Sequence, residues 1–564
     1  MKTRSRLILS GIVLISSLLL LVQYSCTEPV LEYQLGAGIT APTEAAEFPK
    51  PSSADILLGK LNPNRSCYDV IHYDLSVTVK PDQKSISGEN IITARSSGCD
   101  SIQIDLYSNL KVEGIYQQDT ELKYHRQHGA IFLKPKLTSA DSIFQITIKY
   151  SGRPHVAVDP PWDGGFIWEQ DTLGRPWIGV ACEGDGASLW WPCKDHPSDE
   201  PDSMDIHITV RDSLLVVSNG QHRGDELQDG WRTSHWHLHN PINTYNVTFN
   251  IGKYVPVTDT LICGQTVHTL NHYALDFHQE VAKNYFQQAR QVIHVFEKLY
   301  GPYPFWEDGY RLVETPYAGM EHQSCIAYGN GFKMDHEGIY HTYLEVDYII
   351  LHETAHEWWG NSITARDGAE IWLHEAFATY SEALYIEEIL GPRIYQEYIN
   401  NRRRISNNRP IVGPLDQNYW SFEDAYFKGA WVLHTLRSVL NDDELFFRIL
   451  KGFATEYAYQ IVETVDFINY VNLKTGDNFR TFFQQYLYFR LPPTLLYHQD
   501  EAGFHYRWTN TVQDFTMPLD IYVNKQKVRV VPSEEWQVLP VPRLAIIEVD
   551  TRRFYVGLVA EDPG

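Results

Sequence analysis

One short run, His352-Glu353-Thr354-Ala355-His356, constrains this chain more than any other stretch. It lies in YLEVDYIILHETAHEWWGN, where a helix is expected to end at Gly360-Asn361. A helix turns once per 3.6 residues, so two histidines four apart leave one face about a turn apart. Two imidazoles so placed can hold one Zn²⁺, and Glu353 beside them can reach a water on the metal. A second helix-like run follows, GAEIWLHEAFATYSEALYIEEILGP, and stops at Gly391-Pro392. It carries Glu375, separated from His356 by residues 357 to 374, a connection long enough to let the two helices pack side by side. Two histidines, one glutamate and a fourth position left to water make a catalytic rather than a structural zinc set. One Zn²⁺ per chain is expected, held by His352, His356 and Glu375.

At 564 residues the chain exceeds what one core normally holds, so two to four domains are expected. Apolar content of 43% with 13% aromatics indicates globular folding. A net charge of −24 argues against nucleic acid as a partner; its field could attract cationic peptide N-termini.

The first residues read as an export signal. Lys2, Arg4 and Arg6 precede the apolar run Leu7 to Val22, which is short of the roughly 20 residues a spanning helix needs. Cys26 after Ser25 resembles a bacterial lipoprotein signal, in which that cysteine is lipidated and becomes the mature N-terminus; an uncleaved anchor and simple secretion are the alternatives. All three place the rest outside the cytoplasm, on the periplasmic or cell-surface side for a lipoprotein. Residues 27–53, rich in Pro, Ala and Glu and without periodicity, read as a tether. No second apolar span follows.

From 54 to 262 the hydrophobicity alternates at period two, punctuated by Gly, Pro, Asn and Asp, the pattern of a large antiparallel sheet domain. Folding YDVIHYDLSVTVK onto SISGENIITAR about Pro81-Asp82-Gln83-Lys84 brings Cys67 nearly opposite Cys99, either paired or as two buried thiols. Within this region Glu183 sits in a Gly-rich loop, where a glutamate is ordinarily solvated. From 263 to 495 the periodicity is helical, and from 496 to 564 short strands return as a small β-sandwich.

HETAHEWWGN, WLHEAFATY, AYFKG and MEH, with DVIHYDLSVTV, ISGENIITA and LWWPCKDHP upstream, resemble the aminopeptidase N family of zinc metallopeptidases, a gluzincin group that includes leukotriene-type epoxide hydrolases. The likeness runs in order over about 60–560. It implies an α+β multidomain fold: an N-terminal saddle-like β-domain, a thermolysin-like, mostly helical catalytic domain and a small C-terminal β-sandwich, without the family's large helical domain. By the same resemblance Glu353 is the general base and Tyr426 the transition-state tyrosine. Glu321, with Gly319 and Met320, stands in the exopeptidase motif GxMEN, here Ala318-Gly319-Met320-Glu321-His322. Glu183 occupies a second amine-binding position, and the usual Asn before the zinc glutamate is His374. His322, in place of Asn, is expected to titrate near pH 6.5.

The function these residues imply is a zinc aminopeptidase acting on peptides with a free N-terminus outside the cytoplasm, attached to a membrane through Cys26. Two rivals are an epoxide hydrolase on the same zinc scaffold and a non-catalytic peptide-binding module. Oligomeric state is not legible.

Overall fold

The alternating run Tyr68–Lys80 forms a long strand whose Tyr73, Leu75, Val77 and Val79 point inward, each at most 2% exposed. A tight turn with Lys84 at φ +47° returns the chain as Ser85–Ser96, paired antiparallel with it. The computed structural model describes residues 48–334 and 347–561, and the signal stretch with Cys26 lies outside them. Beyond the open end of this hairpin Cys67 and Cys99 form a disulfide, the first of the two arrangements the register allowed.

The hairpin is the centre of an eight-stranded sheet among the described residues. Ser85–Ser96 continues into Ile143–Gly152, Leu110–Gln117 and Thr120–Glu121; on the other side Tyr68–Lys80 continues into Ser203–Arg211, Trp231–Leu238 and Gln221–Gln228. One pair departs from the antiparallel pattern: Tyr68–Lys80 and Ser203–Arg211 run parallel, which strand periodicity cannot reveal because both directions alternate alike. A smaller sheet joins Leu215–Ser218, Phe249–Gly252, Pro176–Ala181 and Gly165–Gln170. Trp190, Trp191, Trp236, Phe166 and Phe249 fill this β-domain core.

The hairpin Tyr254–Cys263/Thr266–Leu275 belongs to a third sheet, extended by Leu312–Glu314, Ile326–Tyr328 and, at its edge, Gly319–Met320. Helices pack behind it. The centre of the helical region is Trp372–Leu390, buried from Trp372 through Ile386. A helix apolar on all sides is an interior helix, so any carboxylate on it leaves water. It packs against Tyr348–Ala355, Pro392–Asn401 and Phe427–Leu440. The HExxH helix ends earlier than Gly360-Asn361: Ala355 is its last residue and His356 its C-cap, still helical at φ −62°, ψ −21°. Histidine spacing survives because the cap keeps helical dihedrals.

A four-stranded and a three-stranded sheet form the C-terminal part. At the other end, Phe48 stacks edge-on against Tyr419 with centroids 5.7 Å apart, and the helix Ser53–Gly59 is tied by Asp55 O to Asn418 N at 2.8 Å. These residues buttress the loop that leads to Tyr426.

Candidate metal centre and active site

Asp347 starts the HExxH helix, accepting the amides of Ile349 and Ile350 on Oδ1 while Oδ2 accepts from Tyr285, Tyr328 and Asn330. That N-cap aims the helix so that His352 and His356 face Glu375 on the neighbouring interior helix. His352 Nε2 lies 3.3 Å from Glu375 Oε2, His356 Nε2 lies 3.6 Å from the same oxygen, and the two nitrogens are 3.1 Å apart. Donors about 2.0–2.1 Å from a tetrahedral zinc sit roughly 3.3 Å from one another, so the three separations fit the ion. The tautomers fit too: His352 Nδ1 donates to Glu382 Oε1 at 2.9 Å and His356 Nδ1 donates to the Trp359 carbonyl at 2.8 Å. Both Nε2 lone pairs are thereby turned toward Glu375. Glu382 is held in turn by Arg402 at 2.8 Å and by the Tyr398 hydroxyl. Against burial, His356 and His352 hold the Glu375 carboxyl well below the ordinary carboxylate range. That pull comes from the imidazolium forms, whose positive charge a dication on the neutral rings would supply instead.

Gly360 lets the chain turn back beneath this set. Its φ is +128°, and a Cβ there would meet the His356 and His374 rings at 3.3 Å.

Glu353 is 6% exposed, and burial pushes its carboxyl up to about 8, opposed by the two histidines. Its Oε1 packs against Gly319, where a Cβ would come within 2.5 Å. Only glycine leaves room for that carboxylate beside the edge strand.

Glu321 and Glu183 converge on the same space. One oxygen each of Glu183, Glu321 and Glu375 lie within 4.8 Å of one another, as do Glu321, Glu353 and His356 donors. The loop glutamate is therefore not solvated: Glu183 is 3% exposed, and its Oε1 has no hydrogen-bond partner. Burial and then Glu321 raise the Glu183 carboxyl well above its usual value, and burial raises Glu321 as well.

Tyr426 caps the helix Phe427–Leu440, and its ring stacks on His352 at 6.0 Å with 18° between planes. Burial raises its pKa, so the hydroxyl keeps its proton and remains a donor. Phe422 and Trp420 extend the stack away from the metal set. His322 departs from expectation. Fully buried, with neither ring nitrogen hydrogen-bonded, it is pulled down to about 3 and stays neutral.

Three supports were not legible as such in the sequence. Tyr245 donates from its hydroxyl to Glu321 Oε1 at 3.1 Å. Its other neighbour is His374 Nδ1 at 3.4 Å; His374 Nε2 accepts the Ala365 amide at 2.7 Å, which leaves the proton on Nδ1 to face Tyr245. Asn361 donates to the Glu321 carbonyl at 2.9 Å. The replacement of Asn by His374 in an otherwise familiar motif was the one available signal.

Residues 285–486 match the peptidase family M1 domain and residues 70–246 the peptidase M1 N-terminal domain. The chain belongs to peptidase family M1. Aminopeptidase B of Rattus norvegicus is 23% identical over 77% of this chain and 70% of its own length. Endoplasmic reticulum aminopeptidase 1 of Mus musculus is 22% identical over 71% of this chain, and leucyl aminopeptidase of Saccharolobus solfataricus is 22% identical over 51%. The chain spans only 45% and 38% of those two relatives. The crystal structure of the M1 zinc metallopeptidase from Deinococcus radiodurans superposes with a TM-score of 0.64, at 22% identity, covering 76% of this chain and 95% of that one. A mutant of that enzyme bound to a Tyr-Ser-Ala substrate gives a TM-score of 0.63 at 22% identity, covering 80% of this chain and 98% of that one.

Proposed function

We propose that this protein is a zinc aminopeptidase that removes N-terminal residues from peptides outside the cytoplasm. One observation carries the reading: Glu183, Glu321, Glu353 and Glu375 share one buried space. A single dication balances two of those four carboxylates. Burial answers the excess by raising the Glu183, Glu321 and Glu353 carboxyls, and a peptide's α-ammonium is a cation that would let them ionise.

His352, His356 and Glu375 hold one zinc per chain, which when bound supplies Lewis acidity and lowers the pKa of a coordinated water. Glu353 takes a proton from the attacking water and returns it to the leaving amine. Tyr426 donates to the oxyanion that develops on the scissile carbonyl. Glu321 and Glu183 accept hydrogen bonds from the substrate ammonium, which sets the first peptide bond at the centre. Gly319 and Met320 on the edge strand offer backbone groups to an extended peptide. An intact base, ligand set and tyrosine support an enzyme over a binding module. The basic start, apolar run and Ser25 support export with Cys26 as a lipid anchor.

A panel of aminoacyl reporter substrates, run with and without chelator, tests the reading. Free-amine reporters should be cleaved and chelator should abolish cleavage; N-acetylated versions should be inert. Efficient cleavage of blocked peptides would point to an endopeptidase, and turnover of epoxides alone to the rival hydrolase.

A further inference from the structure

Far along the chain from the catalytic helices, one C-terminal hairpin carries a donor set that its own folding does not require. Thr494–Gln499 and Phe504–Thr509 pair antiparallel with His498 opposite His505. Their rings lie face to face, centroids 4.4 Å apart and planes 12° apart. Asp500 turns back from the loop, and its Oδ1 accepts the Ala502 amide at 2.7 Å and the Gly503 amide at 3.2 Å and lies 2.8 Å from His505 Nε2. A third strand, Gly557–Ala560, runs parallel beside Thr494–Gln499, and Glu561 just beyond it brings Oε2 to 3.6 Å from His498 Nδ1. That nitrogen is shielded from solvent and makes no hydrogen bond. Trp536 closes the other side of the His498 ring at 4.9 Å, and Arg507 is drawn onto Trp536 at 5.1 Å.

We propose that His498, His505 and Asp500, with Glu561 alongside, form a second metal site for a divalent transition ion such as Zn²⁺. One donor atom each of His498, Asp500 and His505 already lies within 4.8 Å of the others. Mixed imidazole and carboxylate donors without thiolate suit Zn²⁺, Ni²⁺ or Cu²⁺, whereas Ca²⁺ and Mg²⁺ take oxygen sets. A simple staple of the hairpin would need only Asp500 and His505. The second imidazole with its orphaned nitrogen, and a carboxylate delivered from a third strand, are what an ion accounts for. Closing the donors to the roughly 2.0–2.2 Å bonds of such an ion requires the rings to tilt out of their stack, and both rings are only partly buried, at 16% and 17% side-chain exposure.

Metal counting on the full chain tests this independently of any activity. Protein stripped by chelator, reloaded with Zn²⁺ and freed of excess should hold two ions per chain by mass spectrometry. His498→Ala/His505→Ala should hold one and keep cleaving the free-amine reporters; His352→Ala/His356→Ala should also hold one and lose cleavage. Should the double variant fail to fold, His498→Gln alone gives the same count. A hairpin variant that retains as many ions as the unmodified chain, or an unmodified chain that saturates at one, overturns the proposal.

Discussion

On the solvent face of the large N-terminal sheet, four histidines and two aspartates form a lattice across three strands. Asp205 lies 3.2 Å from His72 and 2.7 Å from His237, His207 lies 3.3 Å from Asp74, and His207 Nδ1 is 2.7 Å from His235 Nδ1. The catalytic centre inverts that ratio, with two histidines and four glutamates. Sheet-face side chains are 25–40% exposed, whereas His356 and Glu375 are at 1–2%. In the lattice, water screens each pair. In the interior, the glutamates must either meet an opposite charge or take up protons, as burial drives Glu183, Glu321 and Glu353 to do. Similar residues therefore yield a polar surface in one place and a buried, charge-demanding cluster in the other. Burial, not composition, separates them.

The largest test of that contrast is Glu353→Gln, which keeps the shape and removes the base. It should lower kcat by about 10²–10⁴ while zinc remains bound. Metal analysis showing zinc lost together with activity would reassign Glu353 to the ligand set.

Tyr426→Phe should lower kcat by about 10²–10³ with KM little changed, as for loss of one oxyanion donor. Near-full kcat would leave Tyr426 as a packing residue on His352.

A smaller effect is expected at Tyr245, which orients Glu321 without touching the metal ligands. Tyr245→Phe should reduce kcat/KM by roughly tenfold, mainly through KM, the scale of a lost hydrogen bond to a charged group. Paired inhibitors with and without the α-amine provide the decisive readout: the unmodified protein should prefer the amine, and the variant should lose most of that preference. An unchanged preference would detach Tyr245 from Glu321.

The smallest effect is predicted on the sheet face, where His207→Ala should cost at most about 1 kcal/mol and leave activity intact. The hydrogen bond to Asp74, opposed by burial, raises the His207 pKa, with Asp205 and Glu226 also contributing; the hydrogen bond to His207 lowers that of Asp74. A raised imidazole pKa stabilises the fold below the unfolded value of about 6.5 and loses that contribution as pH rises through the folded value. Melting curves should thus show a larger penalty for His207→Ala at pH 5 than at pH 8. An equal penalty at both would make the lattice a packing feature.

Much of the centre was legible beforehand because its parts are local. The i, i+4 histidines and the stop at Gly391 follow from periodicity and capping, whereas the N-cap role of Asp347 was read only from the structure. The hairpin of Tyr68–Lys80 and Ser85–Ser96 was legible for the same reason, and with it the proximity of Cys67 to Cys99. The parallel neighbour Ser203–Arg211 was not, since nothing in a strand's own pattern names its partner. Glu382, two turns beyond Glu375, carried no distinguishing mark until His352 was seen against it.

By itself, then, the sequence determined which side chains could serve as ligands, base and donor, because those roles depend on residue type and on spacing within one element. Tertiary structure alone decided which of them lose water and meet. Tyr245 and Glu321 are 76 residues apart, and Tyr245 and His374 129 apart. Glu183 became a buried carboxyl and His322 a neutral core ring only because other elements closed over them. Electrostatic energy depends on distance and on the surrounding dielectric. Neither is a property of a position along the chain.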